Sequence, residues 1–133
     1  MAFESPVFVW SFPAAADYSA AANAYKFVKL NTDGAAEICS AITDQPIGIL
    51  QNLPNPAKGQ RAEVMILGIS KVNADAALTV GQKIGTSADG QAAAYVHGTA
   101  TTVYICGTVL GAAGGAGEKA TAIIDCVHPN RGA

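Results

Sequence analysis

From Tyr25 onward, turn signals divide the chain into strand-like segments, most of which are short. Residues 25–30 alternate apolar and polar side chains, as a half-buried strand does, and residues 31–34 form a turn. The pair Asp33-Gly34 favours a tight turn because glycine tolerates a positive φ. No stretch after residue 24 has helical periodicity. The sequence therefore predicts an all-β domain, a compact barrel or sandwich of short strands.

The same order of signals occurs twice in the chain. Asp33-Gly34 corresponds to Asp89-Gly90, a separation of 90 minus 34, or 56 positions. Other pairs recur at nearly the same spacing, namely Gly48 with Gly107 (59 apart), Gly59 with Gly117 (58) and Ala62 with Ala120 (58). Each half has a turn, a strand with a central glycine, a loop closed by glycine and another strand. This order predicts an internal pseudo-repeat of one β unit.

The start of the chain differs from the rest. It predicts an extended N-terminal arm, residues 1–23, attached to a β body, residues 24–133. Pro6 and Pro13 oppose helix and favour extended chain before them. The arm also concentrates large apolar side chains, which are Phe3, Val7, Phe8, Val9, Trp10 and Phe12. Residues 14–24 are rich in alanine and are compatible with a short helical turn, but they have no apolar stripe.

The energetics of the arm leave two alternatives open. Burying its six large side chains would gain roughly 9–18 kcal/mol, and ordering about ten residues of backbone costs about 10–20 kcal/mol. Because these terms nearly cancel, the arm is expected to order only where something supplies a groove. It either packs on its own domain as a first strand, or reaches a neighbouring subunit or partner, for example at an exposed sheet edge. The second alternative makes Phe3, Val7, Phe8, Val9, Trp10 and Phe12 the predicted partner-binding residues.

Composition narrows the classes of function. Half of the residues are apolar and 14% are charged, which is low for a soluble protein and favours oligomerisation or docking on a partner. The net charge is -2 and no segment is rich in Lys or Arg, so binding of nucleic acid is not expected. No apolar run reaches membrane-spanning length, and the N-terminus lacks the basic cluster of a signal peptide. We therefore expect neither nucleic acid nor a membrane as a partner.

The three cysteines, Cys39, Cys106 and Cys126, form an odd set without CxxC spacing, which argues against a full disulfide framework. Each lies in an apolar, strand-like run. We interpret them as buried, small apolar side chains of a protein made in a reducing cytoplasm.

Reactive groups that could converge on a catalytic site are few. The histidines are His97 and His128, and only Cys126 with His128 has a spacing that places both side chains on one face of a strand. A third orienting group or metal ligand is not evident. The acidic residues are scattered and form no calcium loop. We predict that the chain is not an enzyme and uses neither a cofactor nor a metal.

One segment superficially resembles a phosphate-binding loop, residues 111–121 (GAAGGAGEKAT). That motif requires Gly-Lys-Ser/Thr in succession between a strand and a helix. Here Glu118 separates Gly117 from Lys119, and the following residues are typical of a strand. We predict a flexible hairpin loop instead.

Several segments resemble the small head decoration, or cement, proteins of tailed bacteriophages. They are residues 25–34 (YKFVKLNTDG) and 45–52 (QPIGILQN), followed by Gly59, residues 62–64, residues 67–72, Gly81 and residues 88–90. The resemblance covers roughly residues 25–127 and depends on turns and strand glycines. The aromatic arm and the positions of Cys106 and Cys126 do not match the family pattern.

The resemblance implies a β-rich structural subunit without catalysis or cofactor. It implies a homotrimer seated at threefold or quasi-threefold positions on the outer capsid, with the major capsid protein and other copies of itself as partners. It also implies a virion location on the capsid exterior, and the host cytoplasm during assembly. Such a subunit would stabilise capsomer junctions.

Two other classes of function stay open at this stage. A carbohydrate-binding β module on a virion or cell surface would use exposed aromatic side chains, for which Trp10, Tyr95 and Tyr104 are candidates that are not clustered in the sequence. An enzyme is the other alternative, although the sequence provides no convergent set of reactive groups.

Overall fold

The computed structural model of the protein describes residues 5–51, 56–127 and 130–132. Within these ranges, strands dominate and the helical structure is a single 3-10 turn, Ala21–Asn23, in the alanine-rich segment. The strands are β1 Ser5–Pro13, β2 Phe27–Leu30, β3 Ala36–Ile38, β4 Gly48–Leu50, β5 Arg61–Asn73, β6 Lys83–Thr86, β7 Ala92–Tyr95, β8 Tyr104–Ile105, β9 Gly107–Gly111, β10 Lys119–Asp125 and β11 Asn130–Arg131.

Nine of these strands form one antiparallel sheet in the order β3-β2-β4-β5-β10-β9-β6-β7, with β1 also paired to β5. The remaining two, β8 and β11, pair with each other. The large sheet curls into a half-barrel. The predicted all-β class is therefore confirmed, with the sheet curved but not closed.

The strand order also confirms the internal pseudo-repeat. The order β3-β2-β4-β5 of the first half is mirrored by β7-β6-β9-β10 in the second half. The hairpin turns correspond as well, because Gly34 has φ +78° and Gly90 has φ +83°. In both turns, a side-chain oxygen three residues before the glycine (Asn31 or Ser87) accepts a hydrogen bond from the backbone N–H of the intervening Asp. The first and second repeats, as we call them below, thus share topology and turn chemistry.

Two strand glycines occupy equivalent, crowded positions. A Cβ on Gly48 would collide with the carbonyl oxygen of Met65 in β5, and one on Gly107 would lie 2.5 Å from the carbonyl oxygen of Ile123 in β10. Met65 and Ile123 are separated by the same 58 positions as Gly59 and Gly117. The glycines are required because neighbouring backbones approach closely at these points.

The arm contributes β1, which pairs with β5 from Pro13 opposite Arg61 to Ser5 opposite Ile69. Of the two alternatives, the structure therefore has the arm packed on its own domain as a first strand. The edge of β5 provides the binding site for the arm, because it supplies a ladder of backbone hydrogen bonds. The two prolines are tolerated because they lie on an edge strand.

The repeat extends into β1. The pairing of Pro13 with Arg61 corresponds to the pairing of Asn73 with Lys119, 60 positions later in one strand and 58 in the other. Residues just beyond also correspond, because Ala14 bridges Ala36 and Ala74 bridges Ala92. The second half of β5 is therefore the second-repeat equivalent of β1, and β5 belongs to both repeats.

Each repeat has its own apolar interior. The first-repeat core contains Ala14, Val28, Ala36, Leu50, Ala62 and Val64. Their equivalents Ala74, Ile84, Ala92, Val109, Ala120 and Ala122 lie together in the second-repeat core. That second core also takes in Phe27 and Ile49 from the opposite face of the first repeat. The first repeat therefore stacks its outer face on the interior of the second.

A charged network holds the loop between β3 and β4. Asp44 Oδ2 accepts hydrogen bonds from Lys29 Nζ at 3.0 Å, from Ser40 N at 2.9 Å and from Ala41 N at 3.0 Å. Burial alone would raise the pKa of Asp44, but the hydrogen bonds from Ser40, Lys29 and Ala41 outweigh it and hold the pKa below its usual value. The ionised carboxylate therefore stabilises the fold.

We expect Asp44→Asn to lower the free energy of unfolding at pH 7 by about 1–3 kcal/mol. Because the folded pKa is depressed, the contribution is fully present above the unfolded value near 4 and is lost as pH falls through the folded pKa. Urea unfolding of both proteins at pH 7 and pH 3 would show the difference shrinking at pH 3. A difference of equal size at both pH values would contradict this role for the charge.

Candidate interaction surface

The most exposed apolar side chains of β1 belong to four consecutive residues, Val7, Phe8, Val9 and Trp10, which we call the β1 patch. Val7 is 74% exposed, Trp10 59%, Phe8 43% and Val9 36%. Four consecutive exposed apolar residues on a strand are unusual for a protein that works alone in water. Of the other two predicted partner-binding residues, Phe12 is partly buried against the first-repeat core, and Phe3 lies outside the described residues.

Phe8, Trp10 and Phe12 follow one another along one side of β1. The rings of Phe8 and Trp10 meet edge to face with centroids 6.2 Å apart, a favourable aromatic geometry. Phe12 packs into the first-repeat core, so its side of the strand is the concave side of the half-barrel. Trp10 and Phe8 thus lie on the same side of β1 as the first-repeat core, but beyond its buried part.

The other edge of β1 has no strand beside it within residues 5–51, 56–127 and 130–132. An unpaired edge presents backbone N–H and C=O groups to any extended chain that approaches it. A cleft of about 190 Å³ is lined by Val9, Trp10 and Ser11 of β1 and by Arg61 of β5. The β1 patch therefore combines an apolar surface, a free strand edge and a shallow cleft.

A second exposed apolar set lies on the outer face of the second repeat. It consists of Leu110 of β9 and Ile123 of β10, which are 38% and 45% exposed. These residues were not predicted as a surface, because Leu110 follows Val109 and Ile123 lies between Ala122 and Ile124, in apolar runs that are typical of buried strands. Leu110 and Ile123 correspond to Gln51 and to the fully buried Met65 of the first repeat, so equivalent positions differ in exposure between the two repeats.

A cleft of about 190 Å³ lies on the same outer face. Its lining includes Lys83, His97, Thr108, Ile123 and Asp125. Lys83 Nζ donates a hydrogen bond to Thr108 Oγ1 at 2.9 Å. The cleft is polar at its sides and apolar at Ile123, and no nucleophile paired with a base is evident among these side chains.

The cysteines are buried free thiols. Burial raises the pKa of Cys39 to about 12, and a hydrogen bond with Cys106 together with burial raises the pKa of Cys126. The thiols of Cys39 and Cys126 therefore stay protonated at neutral pH and are poor nucleophiles. His128 lies outside the described residues, so the proposed pairing of Cys126 with His128 is not described.

Other features of the described chain concern metals, phosphate and membranes. Residues 5–51, 56–127 and 130–132 contain no group of three or more His, Cys, Asp or Glu side chains placed to hold a metal ion. The glycine-rich segment after residue 111 joins β9 to β10, so the predicted hairpin loop is confirmed. Nor does the described part of the chain include a helix long and apolar enough to cross a membrane.

The aromatic side chains considered for carbohydrate binding have intramolecular partners. Tyr95 donates its hydroxyl to the carbonyl of Thr86 at 2.7 Å. The guanidinium of Arg131 lies 4.9 Å from the ring centre of Tyr104. Trp10 belongs to β1 in the first repeat and contacts Phe8. Tyr95 and Tyr104 therefore make their contacts within the second repeat, whereas Trp10 makes its contact within the β1 patch.

Comparison with known proteins shows a likeness at the level of the fold. No protein-family profile matches the chain, and no curated protein sequence matches it. Among solved structures, the fold is similar to the N base of head fiber gp8.5 in bacteriophage phi29, with a TM-score of 0.62 and 21% sequence identity. The similarity covers 90% of this chain and 94% of the other. The chain therefore has the fold of a bacteriophage head-fiber base.

Proposed function

We propose that the chain is a structural protein of a bacteriophage head. The observation that carries this proposal is the fold shared with a head-fiber base across 90% of the chain. The exposed β1 patch supports it, because a capsid accessory must present a surface to its neighbours. The protonated, buried thiols also favour a structural role over a catalytic one. In this proposal the chain is not an enzyme and requires no cofactor.

More specifically, we propose a decoration or cement protein on the capsid exterior, which reaches its place from the host cytoplasm during assembly. Its partners would be the major capsid protein and two further copies in a homotrimer, without nucleic acid or membrane. A pressurised capsid fails where capsomers separate, so a subunit that bridges them raises the barrier. Trimeric attachment multiplies weak contacts through effective concentration.

The attachment surface that we propose is the free edge of β1 with Val7 and Val9. Val9 of β1 is paired with Met65 of β5, which is fully buried. Val9 therefore lies in a part of the sheet that is held in place by the core. An extended segment of the capsid protein could add to this edge as a further strand, with Val7 and Val9 in apolar contacts.

The test is binding of the purified chain to undecorated capsids. We expect saturable, stoichiometric binding, and we expect Val7→Asp to weaken it by about tenfold per contact, because one buried valine contributes about 1.5 kcal/mol. Val96→Asp is the matched control, since Val96 is also a mostly exposed valine but lies in the second repeat. Point variants are preferable to removal of residues 2–13, which would also uncover the edge of β5.

Undiminished occupancy of Val7→Asp would refute the attachment surface, and no saturable binding of the wild-type chain would refute the decoration role. A glycan-binding screen on the same protein covers the alternative, a carbohydrate-binding module. Saturable glycan binding without capsid binding would favour that alternative.

A further inference from the structure

The second repeat shows what covers the concave side of this fold. Its interior residues Ile84 and Val109 share one core with Phe27 and Ile49 of the first repeat. Nearby, Gln51 Nε2 donates a hydrogen bond of 2.9 Å to Ser70 Oγ. The outer face of one repeat is therefore a complementary cover for the concave side of another.

The first repeat buries its own Val28 and Leu50 completely, but the Phe8–Trp10 end of its concave side has no such cover among the described residues. Ser70 and Val72, in the second half of β5, correspond to Trp10 and Phe12 in β1, each 60 positions earlier. Ser70 and Val72 are fully buried, whereas Trp10 is 59% exposed. Trp10 is therefore exposed, together with Phe8, at a position whose equivalent in the second repeat, Ser70, is completely covered.

The corresponding cover exists on every copy of the chain. The positions equivalent to Phe27, Ile49 and Met65 are Lys83, Thr108 and Ile123 on the outer face of the second repeat. In the first repeat these positions are fully buried, because they pack within the molecule. In the second repeat they surround an open cleft of about 190 Å³, with Ile123 and the neighbouring Leu110 exposed.

We propose that the Phe8–Trp10 side of one copy binds the outer face of the second repeat of another copy, around Leu110 and Ile123. The contact would repeat between molecules the packing of repeat on repeat that exists within each one. Its two surfaces differ, so the contact is heterologous and joins copies head to tail into a ring if the rotation closes.

This inference goes beyond the proposed function, since it names both surfaces of a contact between copies. It also leaves the free edge of β1 with Val7 and Val9 for the capsid protein. Trp10 is the expected anchor, because a tryptophan that fills a cleft at the centre of an interface contributes disproportionately to affinity.

The test is sedimentation equilibrium of the purified full-length chain, with no capsid present. We expect the wild-type chain to self-associate, and we expect Trp10→Ala and Ile123→Asp each to weaken self-association by about 30-fold or more. Both side chains are exposed, so thermal unfolding of the variants should match that of the wild type. Ile42→Asp, which alters a similarly exposed isoleucine in the loop between β3 and β4, is the control that should associate normally.

A mixture of the two variants distinguishes a head-to-tail contact from a symmetric one. Trp10→Ala keeps an intact outer face and Ile123→Asp keeps an intact Phe8–Trp10 side, so the mixture should form one-to-one dimers and nothing larger. A monomeric wild-type chain, normal association of either variant, or a mixture without dimers would overturn the proposal. Because capsid binding is measured separately, failure here is distinguishable from failure of the decoration role.

Discussion

Replacement of Phe27 with alanine should lower the free energy of unfolding by about 3–5 kcal/mol, as expected for removal of a fully buried aromatic ring. Phe27 is completely buried where the first repeat packs on the interior of the second. The cavity would therefore lie between the two repeats and weaken both. Urea unfolding, monitored at protein concentrations where the chain is monomeric, measures the change.

The internal repeat supplies the matched control for this experiment. Lys83 occupies the position in the second repeat that Phe27 occupies in the first, but it lies on the exposed face. Lys83→Ala should therefore change the free energy of unfolding by less than about 0.5 kcal/mol. Similar losses for the two substitutions would contradict the stacking of the first repeat on the second.

Gly48→Ala should have the next largest effect, a loss of about 3 kcal/mol, at the upper end for overpacking. The added methyl group would meet the Met65 carbonyl oxygen and lie 2.5 Å from Val64 Cγ1. The strands cannot separate easily because β4 and β5 are paired at this point. The measurement is the midpoint of urea unfolding, with circular dichroism to verify that the sheet is intact.

Gly107→Ala tests whether the two repeats respond alike, since the added group would lie 2.5 Å from the Ile123 carbonyl oxygen. We expect a loss of similar size. Gly115→Ala is the control, because an added Cβ there meets only Glu118 Oε2, at 3.7 Å. If Gly48→Ala and Gly115→Ala were equally stable, the close approach of β4 to β5 would be wrong.

The strands and turns of this protein could be predicted from local sequence because local chemistry determines them. Asp33-Gly34 and Asp89-Gly90 form the expected turns, and the glycine spacing correctly indicated two copies of one unit. The exposure of the arm's apolar residues also follows the expectation that the arm would offer a binding surface, although whether it binds a partner stays a prediction.

The pairing of β1 with β5 could not be decided from the sequence. The balance of burial against chain entropy treated the arm alone, and it omitted the hydrogen-bond ladder that the edge of β5 provides. The set around Ile123 was also missed. Whether Met65 or Ile123 is covered depends on how the sheet curls, which is a property of tertiary structure and not of local pattern.

The double role of β5 has a consequence for how such a protein can change in evolution. In a tandem array of independent modules, each copy owns all of its strands, and recombination can remove one and leave the other intact. Here one 13-residue strand ends the first copy and begins the second. A deletion within this strand would therefore remove a strand from both halves at once.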